Sequence, residues 1–261
     1  PFGSPSMAST SFDKLRTVNG WLWFMPRPKR RSRTWLYLPP LPDSGGMESL
    51  EGTFELPKNC VNHCRALRLS DGESLLLFDG LGNLWDATLV VSRKSFQATI
   101  AKQHTLPRPS KLELLVGAVQ PSKAEVIVRS ATELGATEIV FAVSEHTEPR
   151  LITDLRNKSA RLHSIAVSAA EQSERAWLPN LSFLDPLPPC DSRTWIMAER
   201  STAEPATSPT LQPTSVWVGP EGGWSAGELA QFAQSEASLK HIPGGVLRVE
   251  TAAIAALAAT K

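Results

Sequence analysis

Ser215-Val216-Trp217-Val218-Gly219-Pro220-Glu221-Gly222-Gly223-Trp224-Ser225 runs from an apolar, β-prone stretch through a glycine-rich bend toward a helix. Ser225 and Glu228 have the three-residue spacing of a capping box, and Leu229, Phe232 and Ala233 supply an apolar face behind it. The unit is therefore strand, turn, helix. Three glycines let the backbone take positive φ and approach a ligand with no Cβ in the way. Open α/β sheets bind ligands at the carboxyl ends of their strands, where this bend falls. A tight turn with no ligand fits the same residues.

Familiar nucleotide motifs are excluded. A P-loop needs a second glycine and then lysine five residues after the first, and that place is held by Trp224. No Gly-x-Gly-x-x-Gly follows an early strand either. One helix later comes a second bend, Ile242-Pro243-Gly244-Gly245-Val246-Leu247-Arg248-Val249-Glu250-Thr251-Ala252, leading into an alanine-rich helix over 251–261. Two such bends after successive strands could wall one flat pocket for adenine and ribose. Thr251 and Glu250 sit where a helix start could be capped. Arg248 is the fixed positive charge of this segment, and a surface salt bridge is its plainer role.

Upstream, apolar runs at 112–119, 138–143, 194–198 and 215–218 alternate with helical spacings. Ile127, Ala131 and Leu134 recur at helical intervals, as do Leu162, Ile165, Ala166 and Ala169. Strands alternating with helices predict a mainly parallel sheet covered on both faces. Residues 33–100, within a first domain over 33–105, read differently, as short extended pieces and turns. Ser74–Phe78 and Leu84–Val91 flank Asp79-Gly80 and Gly82-Asn83, which predicts a hairpin in a small β domain. Pro107 and Pro109 mark a linker before an α/β domain over 110–261.

Composition narrows the class. A hydrophobic fraction of 41% with 20% charged residues is that of an ordinary globular chain, and no apolar run reaches membrane-spanning length. Cys60, Cys64 and Cys190 are too few for a disulfide framework, which suits a reducing compartment. Cys60, His63 and Cys64 supply only three ligands, and no second Cys/His pair completes a zinc site, so no metal is expected. Carboxylate spacing marks no acid/base pair of a hydrolase. The net charge of +1 hides a run from Lys14 to Pro42 with seven basic residues and no acidic one. That run fits phosphate contact, and equally a solvated tail, a tag scar (residues 1–6 above all) or an organelle transit segment over 1–32. The chain is expected to be cytoplasmic, or organellar in the last case.

The two glycine bends, with Ser225, Glu228 and Leu247-Arg248-Val249-Glu250-Thr251-Ala252, resemble the cofactor-loop motifs of the uridine-N3 methyltransferase family acting on 16S rRNA, a branch of the SPOUT superfamily. Ala131-Thr132-Glu133-Leu134-Gly135 resembles the family's first helix. Arg161 with Ala170-Glu171-Gln172-Ser173 and Arg175 resembles its central helix, and Leu67-Arg68-Leu69 with Leu77-Phe78-Asp79-Gly80 its amino-terminal domain.

The resemblance spans roughly 33–261. It implies a PUA-like β-barrel, a SPOUT-type parallel sheet whose carboxyl end is tied in a trefoil knot, a homodimer, and S-adenosylmethionine as cofactor. Cofactor contacts would come from Val218, Gly219, Pro220, Glu221, Gly222, Gly223, Ile242, Gly244, Leu247, Arg248, Thr251 and Ala252. Arg248 and Arg175 would stabilise charge on the uracil, and Glu171 or Glu250 would orient the base or accept its proton. Arg33, His63, Arg65 and Arg68 would contact ribosomal RNA. The family usually has lysine at Ser130, proline and arginine at Phe141 and His146, and glycine at Pro243, so an active but diverged member is expected. The second reading is a non-catalytic RNA-binding or ribosome-assembly protein on this fold; the third is a SPOUT methyltransferase with another RNA target.

Overall fold

In the computed structural model, residues 33–39, 52–93, 95–206 and 212–261 are described. The basic run before Arg33 and the Gly45-Gly46 break lie outside them. The amino-terminal elements are β1 (Thr34–Tyr37), β2 (Thr53–Glu55), α1 (Lys58–Ala66), β3 (Ser74–Phe78), β4 (Asn83–Val91) and β5 (Phe96–Thr105). Then follow β6 (Glu113–Gly117), α2 (Pro121–Leu134), β7 (Glu138–Ala142), α3 (Arg150–Asn157), α4 (Ser159–Ser173), β8 (Asn180–Leu184) and β9 (Thr194–Met197). The chain continues through β10 (Glu204–Pro205), β11 (Ser215–Val218), α5 (Ala226–Gln234), β12 (Ser238–His241) and α6 (Val249–Ala258). No described helix is long and apolar enough to cross a membrane.

The first sheet has the order β1-β3-β4-β5-β2, antiparallel except for the β1–β3 pair. β3 and β4 form the expected hairpin. Its turn is held by Asp79, whose carboxylate accepts from the Leu81 N–H at 2.7 Å, the Asn83 N–H at 3.1 Å and Asn83 Nδ2 at 2.7 Å. Leu36, Leu75, Leu77, Trp85, Leu89 and Ala98 form a core of their own. Residues 58–66 are a helix, where extended pieces were expected. Cys60 and Cys64, four apart, put one apolar edge of α1 into that core, and the rest of the helix is polar. So narrow an apolar edge leaves little periodic signal.

The second sheet runs β10-β12-β9-β11-β6-β7-β8, parallel at every pairing. Strand periodicity sorts its side chains onto two faces. Leu114, Val116, Ile139, Phe141, Val216 and Val218 face a core shared with α2, α3, α4 and α6. Leu115, Val140 and Trp217 point the other way, toward Phe232 of α5. α2 begins at Pro121 and ends at Gly135, whose φ of 89° is the left-handed cap that glycine tolerates best.

The sheets belong to one compact unit, Arg33–Lys261. Leu81 of the hairpin turn makes a β-bridge with Trp177, and the Gly82 N–H donates to the Ala176 oxygen at 3.1 Å. Glu171 of α4 accepts from the Tyr37 N–H at 3.0 Å and from His63 Nδ1 at 3.0 Å. This hydrogen bond raises the His63 pKa against the opposing pull of burial.

Candidate active site

Val218 stands in register with Met197 and Val116, and Met197 with Lys240. The chain therefore leaves β9, β11 and β12 at one level, and the three bends that follow enclose a cavity of about 920 Å³. β9 lies between β11 and β12, so the two glycine bends do not follow adjacent strands; the cleft is three strands wide. Residues 197–202, after β9, form the wall that links the bends.

The first bend is packed from behind and stapled in front. Gly117, at the end of β6, lies so close beneath it that a Cβ there would come within 2.6 Å of Pro220 Cδ and of the Pro220 nitrogen. Gly223 has a φ of 70° and closes the turn with its N–H on the Pro220 oxygen at 2.9 Å. Trp224 Nε1 donates to the Met197 oxygen at 3.0 Å, and its ring meets Phe232 edge-on at 5.1 Å, which joins the bend to β9 and α5. The capping box forms: Ser225 Oγ accepts the Glu228 N–H at 3.1 Å while Glu228 Oε2 accepts the Ser225 N–H at 2.8 Å. Across the cleft, Arg200 donates to the Gly244 oxygen of the second bend.

The sequence-derived cofactor residues gather here with one exception. Val218, Gly219, Pro220, Glu221, Gly222, Gly223, Ile242, Gly244, Leu247, Arg248 and Ala252 line the cavity; Thr251 is exposed and does not. Sequence reasoning missed the β9 side (Met197, Ala198, Glu199 and Arg200) as well as Trp224, Leu229, His241 and Lys123. The signal was present for the first group, because 194–198 reads as a strand whose carboxyl end must face the same cleft. Lys123 pairs with Glu221 at 2.7 Å across 98 residues of chain. Burial works to raise the Glu221 pKa, but the Lys123 hydrogen bond, a backbone hydrogen bond and the Lys123 charge together outweigh it, and the carboxyl lies below its ordinary value.

Arg248 is the N-cap of α6, exposed, and forms no ion pair with a described residue. Glu250 lies in the first turn of α6 outside the cavity lining, with Oε2 buried and no hydrogen-bond partner among the described residues. His241 Nδ1, on the cavity wall, is likewise buried without a partner among the described residues.

Glu171 and Arg175 do not join Arg248 within the protomer. α2 starts beside the cavity and ends at Gly135, and the Arg175 guanidinium lies against that residue; a Cβ there would be 2.7 Å from Nη1. The 14 residues of α2 rise about 20 Å between the two ends. Arg175 is therefore at the opposite edge of the sheet, where burial pulls its guanidinium below its ordinary pKa. Glu171, near the same end of α4, is engaged with Tyr37 and His63.

The amino-terminal basic residues are scattered. Arg33 pairs with Asp86, which also takes His104 Nε2 at 3.1 Å. Arg65 is exposed with its guanidinium 5.3 Å from the Phe96 ring centre, and Arg68 is exposed just past α1. His63 faces Glu171. Cys60 donates to the Tyr37 oxygen at 3.2 Å, and burial pushes the Cys60 and Cys64 thiols up to about 12 and about 11. At the positions of departure, Phe141 is fully buried and stacks on Phe183, Pro243 is exposed, Ser130 is half-buried on α2, and His146 contacts the first bend.

Two family models match the chain: an RNA methyltransferase domain over residues 106–261 and an RNA methyltransferase PUA domain over 56–101. The ribosomal RNA small subunit methyltransferase E of Synechocystis is 30% identical over 210 residues, 74% of this chain and 67% of that protein. The protein of the same name from Mycobacterium bovis is 28% identical over 244 residues, 85% and 89% of the two chains. Among solved structures, a ribosomal RNA small subunit methyltransferase E from Neisseria gonorrhoeae bound to S-adenosyl methionine superposes with a TM-score of 0.70 at 28% identity, covering 87% of this chain and 96% of that one. With its methyltransferase match spanning well over half the sequence, the chain belongs to the RNA methyltransferase family that contains the ribosomal RNA small subunit methyltransferases E.

Proposed function

We propose that the chain binds S-adenosylmethionine in the three-strand cleft and methylates N3 of a uridine in small-subunit ribosomal RNA. The observation that carries this is the single cavity shared by both glycine bends. Its walls suit the ligand. Backbone without Cβ atoms at Gly219, Gly222, Gly223, Gly244 and Gly245 admits a flat adenosine, Leu229, Ile242 and Leu247 give apolar cover, and about 920 Å³ is within the range of small-molecule sites. The Synechocystis and Mycobacterium proteins carry a ribosomal RNA methyltransferase name, and the Neisseria structure holds S-adenosyl methionine.

S-adenosylmethionine, when bound, supplies an electrophilic methyl on a sulfonium. The protein's part is positioning and electrostatics. The glycine bends fix the donor. Arg248, a cation on the cavity wall without an ion-pair partner among the described residues, holds the charge that spreads over the uracil oxygens as N3 loses its proton. Lys123 neutralises Glu221, which leaves the first bend's carboxylate less repulsive to RNA. Arg65 of α1 and Arg68 just past it contact the RNA backbone.

The working form we propose is a homodimer, with a β domain over 33–105 and a methyltransferase domain over 110–261. Separate cores support the division, and the fully exposed Val246 beside half-exposed small residues of α6 supports a partner surface. We also propose the trefoil knot. From β12 the chain returns past β9 to pack α6 on α2, β11 and β6, as a threaded end would. A mass-spectrometric map of small-subunit rRNA after incubation with the protein and S-adenosylmethionine tests the activity. The expected product is a methyl at a uridine N3. A methyl on ribose, or on RNA of another kind, refutes the assignment, and failure of the protein to bind S-adenosylmethionine favours the non-catalytic reading.

A further inference from the structure

The connection between β7 and α3, residues 143–149, grips the first glycine bend from its outer side. His146 Nδ1 lies 3.1 Å from the Gly222 oxygen and 3.2 Å from the Gly223 oxygen. Both partners are carbonyls, so Nδ1 carries a proton and donates to the pair. The approach is close, since a Cβ on Gly222 would stand 2.9 Å from His146 Cβ. One residue earlier the connection is anchored independently: the Glu145 N–H donates at 2.9 Å to Glu228 Oε1, on the carboxylate that closes the capping box. His146 is therefore held in place by the helix that follows the bend it contacts.

A planar trans peptide points its C=O and N–H in opposite directions. With the Gly222 and Gly223 carbonyls turned toward His146, the N–H groups of Gly223 and Trp224 face away from it. The Gly223 N–H is used within the bend, on the Pro220 oxygen at 2.9 Å. The Trp224 N–H has no acceptor among the described residues, and Gly223 and Trp224 both wall the cavity. An amide left over in this place needs an acceptor from the ligand or from water.

We propose that His146 is a positioning residue for the cofactor cradle: by holding the Gly222 and Gly223 carbonyls outward, it presents the Trp224 N–H inward to an acceptor atom of the adenosyl group. The inference rests on the reading that this cavity takes S-adenosylmethionine. His146 touches neither donor nor RNA in this role. It fixes the peptide plane that does.

Two nearly isosteric replacements test it. In His146→Asn the side-chain amide nitrogen takes the place of Nδ1 and still donates; in His146→Asp an oxygen there meets two carbonyl oxygens. S-adenosylmethionine is titrated calorimetrically into the wild-type chain and both variants, with thermal melts alongside. The Asn variant is expected to bind within about twofold of wild type, and the Asp variant about tenfold more weakly, as befits a lost hydrogen bond with repulsion in its place. Should the Asp variant fail to fold, His146→Ala removes the donor without adding charge, and a roughly fivefold loss that Asn does not share is expected. Equal binding by Asn and Asp, whether strong or weak, overturns the inference alone, because packing without donation treats the two alike. No uptake by the wild type overturns the cavity reading and this inference with it.

Discussion

Gly117→Ala adds one methyl group at a residue that does not line the cavity, yet it should cripple the site. The methyl would stand 2.6 Å from both Pro220 Cδ and the Pro220 nitrogen, and 3.0 Å from Pro220 Cβ. Ordinary van der Waals contact lies near 3.5 Å, so about 0.9 Å must be found. A proline ring and its backbone nitrogen cannot swing aside as the tip of a long side chain can, and β6 is held in register by β7 and β11 on either side. The glycine bend must therefore rise by most of an ångström. Overpacking of this kind costs about 1–3 kcal/mol. That corresponds to a fall of roughly 5 °C in melting temperature for a chain of this size. Misplacing the donor's cradle by such a distance should lower turnover by about a hundredfold. Differential scanning calorimetry and a methyl-transfer assay on small-subunit rRNA measure the two effects. Gly227→Ala, in α5 and outside the cavity lining, is the control, because its Cβ would meet nothing nearer than Ser225 Oγ at 3.7 Å and Glu145 Oε2 at 4.0 Å, which are ordinary contacts. If Gly117→Ala melts and turns over like the wild type, the bend is not seated on β6 as described, and the account of the cleft's rigidity is wrong.

Arg248→Ala should cut turnover by about a hundredfold or more while S-adenosylmethionine still binds, as expected for charge stabilisation in the transition state; unaltered turnover removes Arg248 from the mechanism. Arg175→Ala, at the far edge of the sheet, should leave S-adenosylmethionine affinity within about twofold of wild type, since the distance of roughly 20 Å precludes direct contact; a large loss would show that the site borrows this residue from another copy. The His63–Glu171 link has a signed pH dependence. Because the His63 pKa is raised on folding, the contribution is fully present below about pH 6.5 and fades as pH climbs through the raised value. With a third of the His63 side chain exposed it amounts to less than about 1 kcal/mol, so urea melts of wild type and His63→Ala should differ at pH 5.5 and converge near pH 8.5. Arg68→Ala should lower the slope of log affinity for rRNA against log salt by about one, and an unchanged slope would take Arg68 off the RNA surface.

The parts of the fold that could be read from the sequence are those where burial leaves a plain pattern, on both faces of a strand or along one side of a helix. β6, β7, β9 and β11 are short apolar runs buried on both faces, and α2 and α4 each carry one broad apolar stripe. The β3–β4 hairpin was legible because Asp79 and Asn83 are the residues that hold its turn. α1 was not, since Cys60, Val61 and Cys64 make too thin an edge to show a period. β8 and β12 are half-exposed, and in Asn180–Leu184 and Ser238–His241 polar residues interrupt the apolar ones. Strand order was hidden as well. Nothing local tells β9 to lie between β11 and β12, because that placement is decided by how the connections cross the sheet.

The same geometry explains which site residues were legible. A glycine bend announces itself because backbone that must curve tightly and approach a ligand tolerates few residue types. Its partners across the cleft are chosen by strand direction, which the residues of the bend do not encode. Glu171 and Arg175 show the converse. Both lie in a motif of the central helix, which suggests proximity to the chemistry, but α4 runs back along the sheet and ends where β8 begins. In a parallel sheet the chain leaves each strand at the ligand side and returns at the other. Residues at the carboxyl end of a crossover helix are therefore carried away from the cleft, and within one protomer they serve the seam between the two sheets. Glu171, bonded to Tyr37 and His63, does so directly. His146 follows the opposite rule: it leaves β7 at its carboxyl end, 76 residues before Gly222, and for that reason arrives at the bend.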